Sequence, residues 1–240
     1  MFSNSEALSR ASHELRTPLN AILGFGQLLQ LDELNESQRH SVEQIMAGGR
    51  HLLALIEDLL DLSRLDASGL DLEPVDVGAQ VAEAVSLCAP LAAEASLTLM
   101  VDAGDEPQWA LADPRRLKQV LLNLISNAIK YNRPGGSITV RAGADGHDGV
   151  RVDVIDSGVG MSHSQLTRLF HPFERLDAPA RGIDGNGLGL TVSKALVEAM
   201  HGAIDVSSTP GTGSVFSVRL TADAVVASIA PASEALPQAA

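Results

Sequence analysis

An apolar heptad near the N-terminus constrains the fold of this chain more than any other feature. Two rows of residues recur every seven positions: Leu8, Leu15, Ile22 and Leu29, with Ala11, Pro18 and Phe25 between them. This pattern predicts a helix over residues 5–30 with one apolar seam. At ~100° per residue, His13 lies ~140° from the leucine row, so we expect its side chain to face away from the seam.

A second long helix follows a short turn. Asn35 followed three residues later by Gln38 is a capping box, which predicts a helix from there to about Leu65. Its apolar stripe consists of Ile45, Leu52, Leu55, Ile56, Leu59 and Leu62. Two antiparallel helices with such wide stripes cannot bury both against each other alone. A homodimer that forms a four-helix bundle would bury them, and packing of the hairpin on the rest of the same chain is the alternative.

Composition excludes several classes of protein. The 240 residues carry a formal net charge of -13, which argues against binding to nucleic acid or anionic membranes. The most apolar long stretch, residues 85–101, is interrupted by Pro90 and Glu94 and is a poor membrane span. The single cysteine, Cys88, lies among aliphatic residues and is expected to be an inert core thiol in a reducing compartment.

After the hairpin, residues 66–76 are predicted to form a linker, and the pattern then alternates between helix and strand. Helices are predicted over 77–94, 114–131 and from the glycines near 187 to about 200, and strands over 97–102, 108–113, 137–142, 150–156, 202–208 and 213–220. Asp113 caps the second of these helices, with Pro114 at its first position. The tail from about Thr221 is rich in alanine and proline and is predicted to be disordered.

The helix over 114–131 has a polar face that needs an explanation. Asn123, Asn127 and Lys130 are spaced four and three apart and therefore share one face. A solvated face would more often use Glu, Lys and Arg, and asparagine is a mediocre helix former. Because Mg²⁺ takes oxygen ligands and keeps phosphate oxygens and waters, one amide oxygen on this face is a candidate metal ligand.

Two glycine-rich segments follow. The strand over 150–156 ends at Asp156, and Gly158 and Gly160 come directly after it; an ordinary turn and a ligand-binding loop both fit this pattern. Gly185, Gly187 and Gly189 precede a helix, where backbone N–H groups favour phosphate. This second segment matches neither the Rossmann nor the Walker pattern.

Taken together and in order, these motifs resemble those of the sensor histidine kinases of two-component signalling, over residues 5–220. "SHELRTPLN" resembles the phosphoacceptor box and "NLISNAIKY" the N box, while "DSGVGM", "LFHPF", "GNGLGL" and "GTGS" resemble the first glycine, F, second glycine and third glycine boxes. The resemblance implies an all-α hairpin, a four-helix bundle in the dimer, followed by an α/β sandwich of the gyrase, Hsp90 and MutL type. It divides the chain into residues 1–68, 69–222 and a tail, 223–240.

The resemblance also implies roles in binding Mg·ATP. Asp156 would bind the adenine amino group with support from Ser214, and Asn127 would hold Mg²⁺ with Asn123 nearby. The remaining nucleotide-binding residues would be Lys130, Tyr131, Gly158, Gly160, Gly185, Gly187, Leu188 and Gly189. A lid would span about residues 161–186, anchored by Phe170, Pro172 and Phe173.

By the same resemblance, His13 is the phosphoacceptor, Glu14 orients it as a general base, and Thr17 supports a phosphatase reaction. A neutral imidazole agrees with this role, since its ordinary pKa is near ~6.5. The implied function is autophosphorylation of His13 and transfer to an aspartate of a response-regulator receiver domain, in a cytoplasmic homodimer without nucleic-acid binding or membrane insertion. A degenerate kinase acting as a scaffold, or another ATPase of the same sandwich class, is the alternative.

The chain departs from the family pattern in two places. Thr191 stands where a small apolar residue is more common, and Asn186 where threonine is common. Few residues precede His13, and no receiver sequence follows the glycine boxes. Input is therefore expected from a sensor segment or protein outside this chain.

Overall fold

The structure is a computed structural model that describes residues 4–65, 70–104, 106–146, 149–176 and 186–222. The side chains of residues 4–13, 51, 54, 55 and 57–65 are outside that description. The predicted disordered tail, Gly185 and the side chain of His13 therefore lie outside the described residues. The chain forms two compact units, Met1–Leu70 with His163–Leu196, and Asp71–Ser162 with Val197–Ala240.

The N-terminal hairpin consists of α1 (Asn4–Leu29) and α2 (Glu36–Leu65). The capping box predicted at the start of α2 is confirmed. The Asn35 N–H donates to Oε1 of Gln38 at 3.0 Å, and the Gln38 N–H donates to Oδ1 of Asn35 at 2.9 Å. Helix α1 continues through Pro18, which removes one backbone donor from its interior.

The two helices of the hairpin pack closely at two glycines. Leu19, Met46 and Ile56 are buried between them. A Cβ atom on Gly26 would collide with the sulfur of Met46, and one on Gly49 would lie 2.7 Å from a methyl of Leu23. The pairs 26–46 and 23–49 run in opposite directions along the chain, so the helices are antiparallel.

The apolar seam predicted from the heptad is not the surface that α1 buries against α2. Its members with described side chains are exposed: Leu15 52%, Ile22 49%, Phe25 69% and Leu29 44%. On α2, Ile56 is buried, but Ile45 and Leu52 of the predicted stripe are exposed. The row that contains Leu19, Leu23 and Gly26 makes the contact instead, because its glycine permits a close approach.

The second unit is built on a five-stranded sheet of order β2-β4-β5-β7-β6. Its strands are β2 (Thr98–Asp102), β4 (Ser137–Ala144), β5 (Gly149–Asp156), β6 (Ala203–Thr209) and β7 (Gly213–Thr221). Strands β2 and β4 are parallel, and the other pairs are antiparallel. The expected order of helical hairpin followed by an α/β domain is confirmed.

The linker prediction for residues 66–76 is wrong at its C-terminal end. Strand β1 (Glu73–Asp76) pairs antiparallel with β3 (Trp109–Ala112), with Val75 opposite Ala110. The prediction failed because the partner of this short segment lies more than thirty residues away in the sequence.

Helices α3 (Val77–Glu94) and α4 (Pro114–Lys130) pack on one face of the sheet. Asp76 and Asp113 cap them by accepting backbone N–H groups, as the sequence predicted for Asp113. The core between these layers is aliphatic and includes Val81, Leu117, Val120, Leu121, Leu124, Ile138, Val140, Val152, Val154 and Val218. A short helix α5 (His163–Leu166) lies in the stretch predicted to be loop-rich, and α6 spans Gly189–Ala199.

The opposite face of the sheet carries a polar row across all five strands. Asp102, Arg141, Asp153, Ser217 and Asp205 are register neighbours in that order. Ser217 donates to Asp153 at 2.6 Å, and Nε of Arg141 lies 2.8 Å from Asp102. These pairs satisfy the polar groups on this face, including the buried carboxyl of Asp153.

Candidate functional site

Helix α4 presents the two asparagines predicted to share a face. The Asn127 side-chain NH₂ donates to Oδ1 of Asn123 at 3.4 Å. This bond turns Oδ1 of Asn127 away from Asn123 and leaves it without a hydrogen bond to any described residue. Lys130, in the last turn of the same helix, is exposed. The buried leucines on the opposite side of α4 fix the rotation of this helix about its axis, and they thereby fix the direction in which its polar face points.

Asp156 lies at the end of β5 with its carboxyl half-buried. The Gly158 N–H donates to its Oδ1 at 2.8 Å, and Ser214 supplies a backbone N–H and its hydroxyl. Burial raises the pKa of Asp156 above its ordinary value, and these three hydrogen bonds oppose the rise. The result is a carboxyl in a poorly solvated position that is still provided with donors for its ionised form.

The first glycine loop is held against the C-terminus of α4. The Val159 N–H donates to the carbonyl of Tyr131 at 3.2 Å. A Cβ atom on Gly158 would lie 2.5 Å from that carbonyl oxygen and 2.7 Å from Oδ1 of Asp156, so a larger residue does not fit there. The loop thereby brings Tyr131 close to Asp156.

The turn between β6 and β7 closes over the same loop. Gly160, at φ +65°, lies against the carbonyl of Thr209, and Gly213, at φ +129°, lies against the carbonyl of Asp156. The Gly211 N–H donates to the carbonyl of Val159 at 2.7 Å. The first and third glycine motifs, more than fifty residues apart in the sequence, are therefore adjacent.

The second glycine motif forms the entry to α6. Gly187 has φ +71°, and its Cβ would lie 2.7 Å from the backbone of Phe173. Oδ1 of Asn186 accepts the Leu188 N–H at 3.0 Å, while Leu188 is buried and Gly189 begins the helix. Asn186 therefore satisfies a donor at the start of α6, which threonine at this position would do in a similar way.

The two phenylalanines of the F box are attached to this segment. The Phe173 N–H donates to the carbonyl of Gly187 at 3.0 Å, and Phe173 adopts φ 63° with its side chain exposed. The Thr191 hydroxyl donates to the carbonyl of Phe170 at 3.1 Å, and the Lys194 ammonium lies 5.3 Å from the centre of the Phe170 ring. The threonine that departs from the family pattern thus ties the F box to α6.

The segment that resembles the phosphoacceptor box lies within α1. The backbone of His13 is helical, and the side chains of Glu14 and Thr17 on the same helix are exposed. Because Thr17 follows Glu14 by three residues and His13 by four, it lies on the same side of the helix as both.

Sequence reasoning missed the contributions of Ser208, Asn132 and Ser157 to the structure around Asp156. Ser208 contacts Met161, Gly213 and Ser214. Asn132 donates to the carbonyl of Ser137 at 3.2 Å and accepts from Ser157 at 3.4 Å, which joins the end of α4 to the first glycine loop. Polar residues beside glycine turns were the available signal, but their partners are distant in sequence.

Comparison with known families accounts for this arrangement. Residues 3–68 match the model "His Kinase A (phospho-acceptor) domain", and residues 112–224 match "Histidine kinase-, DNA gyrase B-, and HSP90-like ATPase". The chain belongs to the histidine kinase family. The first match contains the "SHELRTPLN" box, and the second contains the asparagines, Asp156 and the glycine motifs.

Two curated bacterial proteins illustrate the similarity of this chain to its relatives. The cell-division control histidine kinase PdhS of Brucella anthropi is 36% identical over 93% of the chain, and the non-motile and phage-resistance protein of Caulobacter vibrioides is 40% identical over 91%. The chain spans 23% and 27% of the length of these relatives.

Solved structures agree with the family assignment. Full-length ShkA in complex with AMPPNP has a TM-score of 0.77 and 35% identity, covering 92% of this chain and 47% of that one. Histidine kinase AdeS of Acinetobacter baumannii has a TM-score of 0.62 and 26% identity, covering 88% and 98%. Both similarities extend over the hairpin and the α/β domain of this chain.

Two features are absent from the part of the chain that the structure describes. No helix there is both long and apolar enough to cross a bilayer. No group of three or more His, Cys, Asp or Glu side chains in those residues is arranged to hold a metal ion.

Proposed function

We propose that this chain is the catalytic core of a histidine kinase that phosphorylates its own His13 with ATP and passes the phosphoryl group to an aspartate of a response-regulator receiver domain. The observation that carries the proposal is the presence of both domains in one chain. A phosphoacceptor domain containing His13 is followed by an ATPase-type domain in which Asp156, Ser214 and the glycine motifs of the β6–β7 turn are adjacent.

The adenine end of the nucleotide is assigned to Asp156. An ionised carboxylate accepts hydrogen bonds only, which matches the donor character of the exocyclic amino group of adenine. Ser214 supports it, Tyr131 lies beside the base, and Gly158 and Gly160 allow the base to approach the backbone. The complex of ShkA with AMPPNP, an ATP analogue, supports nucleotide binding by this family.

The phosphate end is assigned to Asn123, Asn127 and Lys130 and to the second glycine motif, Gly185, Gly187, Leu188 and Gly189, with Phe170 and Phe173 anchoring the lid. The residues present fit Mg²⁺, because the Oδ1 of Asn127 makes no hydrogen bond with the described residues and is the hard oxygen ligand this ion prefers. When bound with ATP, Mg²⁺ would neutralise charge on the phosphate oxygens.

In the phosphoryl transfer, a nitrogen lone pair of His13 forms a bond to the γ-phosphorus while the bond to the β,γ-bridging oxygen breaks and ADP leaves. The proton on the other ring nitrogen passes to Glu14, whose exposed carboxylate is adjacent in the helix. Catalysis consists mainly of positioning and charge stabilisation.

We further propose that the chain works as a homodimer in the cytoplasm, with residues 1–68 as the dimerisation and phosphotransfer hairpin and 69–222 as the ATP-binding domain. The exposed apolar seam of α1 supports the dimer, and the receiver domain would meet His13 and Thr17 on α1. Thr17 would help return the receiver to its unphosphorylated form by placing a water molecule.

Incubation with ATP labelled at the γ-phosphate tests the proposal. We expect wild type to acquire an acid-labile, base-stable label, and His13→Gln to lose it completely while its ADP affinity in calorimetry stays within about twofold, since the histidine lies in the other domain. His40→Gln, which alters an exposed histidine of α2, is the matched control and should label normally.

Label that persists in His13→Gln would overturn the assignment of the phosphoacceptor. Steady ATP hydrolysis without any phosphoprotein would favour another ATPase of the same class, and absence of nucleotide binding would favour a degenerate kinase that acts as a scaffold.

A further inference from the structure

The hydroxyl of Ser208 lies at the centre of a small hydrogen-bonded cluster behind Asp156. It accepts the Met161 N–H at 2.8 Å, and it lies 2.9 Å from the carbonyl oxygen of Gly213 and 3.0 Å from the hydroxyl of Ser214. Ser208 and Ser214 are directly opposite each other on β6 and β7, and Ser214 is opposite Asp156 on β5. Ser208 is thus linked through Ser214 to the carboxyl assigned to adenine.

Counting protons limits how this cluster can be arranged. Each serine hydroxyl has one proton to donate. The proton of Ser208 can go to the carbonyl of Gly213 or to the oxygen of Ser214, and the proton of Ser214 can go to Asp156 or to the oxygen of Ser208. These three contacts share two protons, so one contact is left without a hydrogen. The possible arrangements are a chain from Ser208 through Ser214 to Asp156, a chain from Ser214 through Ser208 to Gly213, and separate bonds from Ser208 to Gly213 and from Ser214 to Asp156.

The charge on Asp156 disfavours one of these three arrangements. A hydrogen bond to a carboxylate is about twice as strong as one between neutral groups. The two arrangements in which Ser214 donates to Asp156 are therefore favoured whenever this carboxyl is ionised, and they differ in whether Ser208 donates to Ser214 or to Gly213. The Met161 N–H donates to the oxygen of Ser208 and makes the Ser208 hydroxyl a stronger donor.

We propose that Ser208 is a positioning residue that, by donating to the oxygen of Ser214, holds the proton of Ser214 on Asp156 and keeps this carboxylate an acceptor for the amino group of adenine. The inference rests on the proposed function, because it concerns the same nucleotide site. Ser208 acts at one remove, through Ser214, and its effect is therefore confined to nucleotides whose base carries the amino group.

Nucleotide affinity measured by calorimetry tests this role. Ser208→Ala should weaken ADP binding about 3- to 10-fold, the value of one hydrogen bond. It should change the affinity for purine riboside diphosphate, which lacks the amino group, less than about 2-fold. Ser208→Thr keeps the hydroxyl and should restore ADP affinity. Ser207→Ala, which alters the exposed neighbour on the same strand, is the matched control and should bind like wild type.

A double-mutant cycle with Ser214→Ala separates the relay from a purely structural role. If Ser208 acts through Ser214, Ser208→Ala costs no further ADP affinity in the Ser214→Ala background. Equal costs in both backgrounds, or equal losses for the two nucleotides, would overturn the proposal. If Ser208→Ala does not fold, Ser208→Cys, which fills the same space with a weak donor, takes its place in the cycle.

An Asp156→Asn variant distinguishes failure of the relay from failure of the proposed function. Loss of ADP affinity in this variant, together with additive serine effects, would overturn the relay alone. ADP binding that is unaffected by Asp156→Asn would overturn both the adenine assignment and the relay.

Discussion

At the scale of single residues, the carboxyl to which we assign adenine binding, that of Asp156, is placed at a cost in stability. Its carboxyl is half-buried, and burial raises its pKa even though Gly158 and Ser214 supply hydrogen bonds. A carboxyl with a raised pKa binds its proton more tightly in the folded than in the unfolded chain. Folding stability contributed by this group is therefore present at low pH and is lost as the pH rises through the raised pKa.

The direction of this pH dependence gives a prediction for the stability of Asp156→Asn. Because the substitution removes the cost of burying a charge, the variant should be at least as stable as wild type at neutral pH. The advantage should vanish as the pH falls below the ordinary pKa of an aspartate. Urea unfolding between pH 3 and pH 8 measures the difference, and a variant less stable than wild type at pH 7 would contradict it.

The same substitution should weaken ADP binding by about 10- to 100-fold, the usual effect of losing a hydrogen bond to a charged group. Calorimetry at neutral pH measures this loss. Stability and affinity should therefore change in opposite directions, which a general defect in folding would not produce.

At the level of the elements, the helical hairpin depends on glycines that differ in their surroundings. A Cβ atom on Gly26 would collide with the buried Met46, whereas one on Gly24, two residues earlier in the same helix, would meet nothing within 4 Å. Glycine costs a helix interior up to ~1 kcal/mol relative to alanine. At Gly26 this cost is offset by the close approach of α2, and at Gly24 no contact in the described residues offsets it.

Gly24→Ala should therefore raise the free energy of unfolding by up to about 1 kcal/mol. Gly26→Ala should lower it, because overpacking costs about 1–3 kcal/mol and outweighs the gain in helix propensity. Chemical denaturation of the two variants side by side measures both effects. The same sign for the two substitutions would show that the Gly26 contact does not limit the packing of the hairpin.

The strand and loop elements around the site are tied together by contacts distant in sequence. Val159 lies in the loop after Asp156. Its N–H donates to the carbonyl of Tyr131 at the end of α4, and its carbonyl accepts the Gly211 N–H of the β6–β7 turn. In the segment that contains the second glycine motif, Thr191 and Gly187 attach the F box to the start of α6. In both places, glycines remove the side chains that would hold two backbones apart.

At the level of the whole molecule, the exposed seam of α1 is the main argument for a dimer. Ile22 is 49% and Phe25 69% exposed within one chain, and they belong to the heptad that predicted a helical bundle. Rows of large apolar side chains on a helix surface indicate an interface. A second copy of the hairpin would bury this row in a four-helix bundle.

Ile22→Glu should therefore convert the dimer to a monomer in light scattering. Losing two buried isoleucines, one from each chain, costs about 3 kcal/mol or more, which is about 100-fold or more in Kd. Leu91→Glu, which alters a leucine 52% exposed on α3, is the matched control and should leave the dimer intact. A dimer unaffected by Ile22→Glu would place the interface elsewhere.

Where a structural feature depends on neighbours in sequence, the amino-acid pattern was sufficient to predict it. The capping box joins residues three apart, and the buried face of α4 and the contact between Asn123 and Asn127 follow from helical periodicity. The alternation in β4 and β5 likewise predicted strands with one buried face. The roles of these residues in binding nucleotide stay predictions.

Where a feature depends on distant partners, only the tertiary structure decided it. Strand β1 forms because β3 pairs with it. Gly26 allows α2 to approach α1, and this contact decides which row of α1 side chains is buried. Ser208 is an ordinary polar residue of a strand until the fold brings Met161, 47 positions away, and Ser214 to its hydroxyl. Local periodicity specifies which helices and strands form. Strand pairing and side-chain burial depend on which segments meet, and no short stretch of the sequence contains that information.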